Sequence, residues 1–422
     1  MQNRSFLFYT GAVSAILLPF AFEWLSPLYG LILVGIALLL QGDLHPNKWL
    51  LLASAAFLDW ELISIWWSTH RSEGWQDVIM ILPIVLMGLI VGSKSKEVEV
   101  KMYRNWALIF AYATVAAWSW TVAESLFKSG WVQYNDLELG GRLGIHYQSL
   151  YLLVAAFILE ASLWDSANKK YKILHAVAAF ILEASLWDSA NKKYKILHAL
   201  LIVWLLFGCI MLSARIHLLL LPVFILVRTL DLLQGKIANK KKASLWAAGI
   251  IISMVTLMAV LPGTSRRLTD LKNEWRSMDG MVDGKQTNHR IYLWKYGWNV
   301  ANKSPIIGVG NGAGDELLHE ALQSCDAVFY KKKEPYYLHE FKYDFHNMIL
   351  QNFAEGGIVG VILLLFLFAV GFLQSQGSWR YAWALFFFTG MTESLLERQA
   401  GVFLLAFLIL QIQTRNSSTK PR

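Results

Sequence analysis

The sequence predicts an all-α integral membrane protein of about twelve transmembrane helices, with one large extracytoplasmic loop that contains short helices. Three observations carry that expectation. Hydrophobic residues make up 56% of the 422 and charged residues only 16%, where a soluble chain carries roughly a quarter charged. The apolar residues fall into runs, such as 49–67, 106–122 and 358–374, that meet or approach the roughly 20 needed to cross hydrocarbon. One long hydrophilic stretch, 263–345, interrupts them.

Taken in order, the spans fall near 5–22, 28–41, 49–67, 77–92, 106–122, 145–164, 196–213, 216–232, 244–262, 348–374, 381–393 and 400–414. They must be helices, because lipid offers no partner to an unpaired backbone group. The first run has the Arg4 flank of a signal peptide but no clear small-residue cleavage site, and more spans follow at once, so it reads as a retained helix. Residues 154–176 recur unchanged as 177–199. A perfect tandem copy of this kind is no solenoid unit. Its second apolar core is too short to cross, so 165–195 is expected on the cytoplasmic face, partly as an amphipathic interfacial helix. The chain thus divides into spans one to nine (1–262), the loop (263–345), and spans ten to twelve with a tail (346–422).

The net charge of +8 reports topology rather than a nucleic-acid surface. With a cytoplasmic N-terminus, the even-numbered turns and the tails hold Arg4, Lys48, Lys94, Lys96, Lys101, Arg104, Arg228, Lys236, Lys240–Lys242 and Arg380. The short outer turns hold only Arg71, Lys128, Arg142, Arg215 and Arg398. That is the positive-inside pattern, with both termini cytoplasmic.

Within the loop, apolar positions 291, 294, 298 and 300 suit an amphipathic helix over His289–Asn302, ended by Ser304-Pro305. Gly308–Gly312 reads as a tight turn; without a following Lys-Ser/Thr it is no phosphate loop. A further short helix is expected around Asp315–Gln323.

Three features bear chemistry at the outer face. Asp344 is placed to cap the next helix, which would put His346 in its first turn, neutral and either a general base or a boundary histidine that merely bonds to backbone. Arg215 is a lone cation in a long apolar stretch, either a snorkelling anchor or a clamp for an anion. Arg290 opens the loop helix, either as a solvated charge or as a second clamp, since two guanidinium groups suit a diphosphate. Arg266 and Arg267 are reserves. Asp59 and Glu61 lie in the third span on different helix faces, and Glu355 is placed to orient a neighbour or close a buried hydrogen bond. Cys209 and Cys325 suggest no disulfide, and no His or Cys spacing suggests a metal site or cofactor.

At these residues the chain resembles the O-antigen ligase and polymerase family of bacterial membrane glycosyltransferases. The resemblance rests on His346-Asn347 with Leu350-Gln351, Glu355 and Gly356, on Arg290–Trp294 through Ser304–Gly310, and on Ser213-Ala214-Arg215. It covers most of 200–400 and implies a GT-C-like layout in the bacterial inner membrane, with a periplasmic site. It also implies a metal-independent, inverting transfer, with no cofactor, from an undecaprenyl-diphosphate-linked glycan to a lipid A–core acceptor, or extension of the glycan itself. The positions that match are His346 as base and Arg215 and Arg290 as diphosphate ligands, with Asn347 and Glu355 in support; Arg266 is a supporting candidate outside the resemblance. The duplicated 154–199 region departs from the pattern. A transporter of lipid-linked glycan is the competing class, suited by Asp59 and Glu61, but the chain lacks the repeated halves and midplane site such proteins show.

Overall fold

The computed structural model describes residues 2–20, 31–32, 34–35, 47–90, 97–129, 145–165, 192–212, 216–217, 220–224, 227, 249, 252, 256, 289–325, 327–331, 334–375 and 377–412. The first part of the chain supplies helices α1 (Gln2–Leu17), α2 (Lys48–Ser64), α3 (Arg71–Ile90), α4 (Glu97–Ser129), α5 (Ile145–Asp165) and α6 (Lys192–Leu212). Next come α7 (His289–Ala301), α8 (Gly314–Leu322) and a hairpin of β1 (Val328–Lys331) and β2 (Glu334–Tyr337). Helices α9 (Met348–Gln374), α10 (Ser378–Gly390) and α11 (Gln399–Gln411) follow.

Four stretches are long and apolar enough to cross a membrane: Lys48–Trp67, Arg71–Leu89, Arg104–Lys128 and Met348–Gln374. Shorter apolar helices cover Phe8–Phe20, Leu200–Cys209 and Gln399–Gln411. The spans expected at 28–41, 216–232 and 244–262 fall mostly outside the described residues. So does the interfacial helix expected over 165–195, although α5 and α6 on either side of it pack against each other.

The bundle is held by close approach of large and small side chains. Helix α2 packs on α3 and α9, α4 on α1 and α5, α10 on α5, and α11 on α3. A Cβ on Gly11 would meet the Trp106 ring, and one on Gly371 would meet Trp383. Small residues opposite large rings let membrane helices pack without a hydrophobic drive between them. The two acids of α2 separate as the spacing requires, with Glu61 buried and Asp59 exposed.

A second core lies in the 289–345 region. Leu293, Val300, Leu318, Leu322, Phe329, Leu338 and Phe345 are nearly inaccessible and join Leu350 and Ala354 from the start of α9. Burying each such leucine contributes roughly 1.5–3 kcal/mol, so the described part of the loop, from His289 on, is a folded unit rooted on α9. Its two helices stand where the periodicity puts them. The antiparallel hairpin, pairing Val328 with Tyr337 and Lys331 with Glu334, was not expected from a loop read as helical.

Helix α9 is broken at Gly357, whose φ of 65° and ψ of −164° are not helical. The freed backbone groups are taken up by the glycine-rich turn. Val309 N donates to Ala354 O at 2.8 Å, Gly310 N to Glu355 O at 3.0 Å, and Ile358 N to Pro305 O at 2.9 Å. Trp60 Nε1 on α2 donates to Gly356 O at 2.8 Å. A Cβ on Gly357 would run into the Ile306 carbonyl, so only glycine fits. The turn at 308–312 thus serves backbone pairing.

Candidate active site

The starts of α5, α7, α9 and α11 and the segment after α10 meet at one place, each bringing a polar side chain. These are His146 in the first turn of α5, Arg290 in the first turn of α7, His346 just before α9, Glu393 after α10, and Arg398 immediately before α11. Helix starts carry partial positive charge, so anions are favoured here.

Glu393 is the centre of this set. One carboxylate oxygen, Oε1, accepts from Arg290 Nη2 and lies 3.2 Å from His146 Nε2. The other, Oε2, is 3.2 Å from His346 Nδ1. Arg290 Nη2 is itself 3.2 Å from His146 Nε2. Burial by itself would raise the Glu393 carboxyl, but the His346 hydrogen bond and the charges of His146, Arg290 and His346 hold it at about 2. It is therefore an ionised carboxylate, 6% exposed, matched by the Arg290 guanidinium.

His346 is not in the first turn of α9, as the sequence suggested. Asn347 is the cap, its Oδ1 accepting from Ile349 N and Leu350 N at 3.0 Å. This is a correction with a plain cause: Asn and Asp cap almost equally well, and the nearer residue takes the position. Asp344 instead bonds back to its own segment, Oδ1 accepting from His346 N at 2.8 Å, while Oδ2 accepts from Arg398 at 3.0 Å. His346 has φ 45°, unlike any other non-glycine among the described residues. A left-handed backbone is uncommon for a side-chain-bearing residue and persists where its surroundings over-determine it. The Asp344 turn and the Asn347 cap do so here.

The geometry fixes the imidazole's orientation. Nδ1 faces both Glu393 Oε2 and Asp344 Oδ1, at 3.2 and 3.1 Å. Two ionised carboxylates offer only acceptors, so Nδ1 must carry the proton, and Nε2 is then the acceptor of the neutral ring. The helix-end argument for neutrality no longer applies; two carboxylates instead stand ready to support the imidazolium once a proton is taken. Around the ring lie His289 and Tyr343, with centroids 5.9 and 6.4 Å away.

Glu355 stands apart from this network. Its Oε1 accepts from Gly314 N at 3.1 Å and from Gln351 Nε2 at 3.2 Å, and Gln351 Nε2 also reaches Asp315 Oδ1 at 3.1 Å. These bonds tie α8 to α9. Burial, helped by the charge of Asp344, pushes Asp315 up to about 7.

Of the residues singled out in the sequence, His346, Arg290 and Asn347 come together, and Arg215 and Arg266 lie outside the described residues. His217, two positions after Arg215, has Nε2 2.9 Å from Thr389 Oγ1, on the same segment that leads to Glu393. Sequence reasoning missed Glu393, His146 and the Asp344–Arg398 pair. Among the described residues, no three His, Cys, Asp or Glu side chains are grouped to hold a metal ion.

No curated protein matches the chain. Residues 200–365, which include Arg290, His346 and the first part of α9, match the family model described as O-antigen ligase, a match that supports an O-antigen ligase family assignment.

Proposed function

We propose that the chain transfers a glycan from undecaprenyl diphosphate to a hydroxyl of a lipid A–core acceptor, without a metal and with inversion at the anomeric carbon. It does so at the periplasmic face of the bacterial inner membrane, as a twelve-span protein with both termini in the cytoplasm. The observation that carries the reading is Glu393, which joins His346 to Arg290 through its two oxygens. A base and a cation are thereby held on one rigid group, as a displacement with an anionic leaving group needs.

In this reaction Nε2 of His346 takes the proton from the acceptor hydroxyl as its oxygen attacks the anomeric carbon. The bond from that carbon to the diphosphate oxygen breaks, and the leaving diphosphate keeps the electron pair. Glu393 and Asp344 hold the ring and balance the imidazolium. Arg290 and Arg215 receive the diphosphate charge, aided by the helix starts gathered at the site. A guanidinium has five N–H donors, so Arg290 serves a carboxylate and a phosphate together. Asn347 sets the start of α9 and with it the His346 backbone; Glu355 supports the site by fixing α8 to α9, and Arg266 is a further cation of the loop.

The test is transfer by the purified chain in nanodiscs from undecaprenyl-diphosphate glycan to lipid A–core, with EDTA present. Transfer that resists EDTA and is lost in His346→Ala, Arg290→Ala and Arg215→Ala supports the reading. Lengthened lipid-linked glycan as the product would make the chain a polymerase. Movement of lipid-linked glycan across vesicles with no transfer to any acceptor would overturn the enzyme reading altogether.

A further inference from the structure

A row of aromatic rings leads away from His346. Tyr343 stands beside it at 6.4 Å, Phe341 lies 6.2 Å from Tyr343, and Tyr336 lies 5.7 Å from Phe341. The far end is anchored: Tyr336 contacts Phe329 at 5.8 Å, and Phe329, 1% exposed, contacts Tyr292 at 5.4 Å. Tyr337 follows Tyr336 in β2 and so points to the other face, where it stacks on His339 at 5.3 Å and 19°. The hairpin and the turn after it thus hold the row's rings in fixed positions, yet Phe341 is 49% exposed.

Buried anchors with outward faces make a preorganised surface, which loses little conformational freedom on binding. Its edges are polar. Lys342 is ion-paired with Glu316, and burial, helped by the neighbouring Tyr336 hydroxyl, pushes the Tyr343 hydroxyl up to about 12. Ring faces bordered by neutral hydroxyls and charged groups do not suit an acyl chain. They suit a sugar strand, whose rings present C–H faces for stacking and hydroxyls at their edges.

We propose that Tyr343, Phe341 and Tyr336 form a glycan-binding strip, which stacks the oligosaccharide of a substrate as it runs outward from His346. The inference rests on the transfer reading, because that reading puts a sugar hydroxyl at His346. Both the donor glycan and the acceptor core have this chemistry.

The experiment uses the full chain in nanodiscs with Phe341→Ala and Tyr336→Ala, singly and together. Donors are lipid-linked glycan extracted from source membranes and the same lipid diphosphate bearing one sugar; acceptors are full and truncated core oligosaccharides. The double variant is expected to raise KM for the long donor about tenfold, or about 1.4 kcal/mol, with kcat and the single-sugar KM unchanged. The strip then holds the donor strand. A KM increase that follows acceptor length instead assigns it to the acceptor strand. Unchanged KM for every pair, or an equal rise for the single-sugar donor, overturns the strip, and Phe341→Trp should keep the parent values.

Saturation-transfer NMR with free glycan, released from the donor by mild acid, reads binding without turnover. Signal on the glycan C–H protons that disappears in the double variant upholds the strip even if the parent transfers nothing, which separates its fate from that of the transfer reading. An equal signal in parent and double variant overturns it.

Discussion

Glu393 and Glu355 are buried to nearly the same extent, 6% and 5% exposed, and the fold handles them in opposite ways. Glu393 is surrounded by Arg290, His146 and His346, so its charge is matched. Glu355 is bonded by a backbone N–H and an amide, and among the described residues no ion pair reaches it. A buried carboxylate with cations is arranged for charge, while one with neutral donors is arranged for shape. The same division runs through their neighbours: Asp344 is paired with Arg398, whereas Asp315 beside Glu355 is pushed up by burial.

The comparison breaks most visibly at its charged end. His346→Ala should lower transfer about 10²–10⁴-fold with the unfolding midpoint unchanged, as measured by product formation and by thermal unfolding in nanodiscs. A residual rate near that of the parent would remove His346 as the base. Glu393→Ala leaves Arg290 and two histidines without their common anion, so it should cost about 3–5 kcal/mol of stability as well as activity. Chemical unfolding in detergent checks this, and a loss under about 1 kcal/mol would mean the pair is no stronger than a surface one.

The neutral end gives smaller, sharper effects. Asp315 has a folded-state value of about 7, above the unfolded value of about 3.9. Between the two, the folded chain keeps a proton that the unfolded chain has released, so each rise in pH favours unfolding. Stability should fall from about pH 4 to about pH 7, and Asp315→Asn should flatten that slope in unfolding curves taken across the range. Glu393, held at about 2, has the opposite sign: its contribution is complete above about pH 4.3 and is lost only as pH falls through 2. Glu355→Gln keeps an oxygen that accepts both bonds, so stability should change by less than about 0.5 kcal/mol. A larger loss would show that Glu355 depends on its charge, and the contrast with Glu393 would collapse.

Much of the architecture was legible in the chain because membrane helices are written as long apolar runs. Periodicity also set α7 within a residue of its observed end, and turn chemistry set the break before α8. His346 and Arg290 stood out by residue type and position. Glu393 did not, because it follows α10 in an ordinary Met-Thr-Glu-Ser turn and its partners are 47 to about 250 residues away; no local pattern reports a contact at that separation. The hairpin was hidden because its strands are four residues each and one contains Pro335, which argues against a strand. The cap was misassigned because Asp344 and Asn347 carry equivalent signals only three residues apart.

The break at Gly357 has a consequence for how the chain is built. The 17 residues that follow it, to Gln374, make a rod of about 26 Å at 1.5 Å per residue, close to the roughly 30 Å hydrocarbon thickness. Leu350 and Ala354 before the break join the loop's core, and the backbone groups freed at the joint would be costly in lipid without the 305–310 turn. During synthesis that turn emerges about 50 residues before the joint it must satisfy, at roughly 5–20 residues per second, so the loop has several seconds to fold. The order of the chain thus delivers the dock before the helix that needs it, and a loop cleaved at that stage would leave α9 without a settled depth.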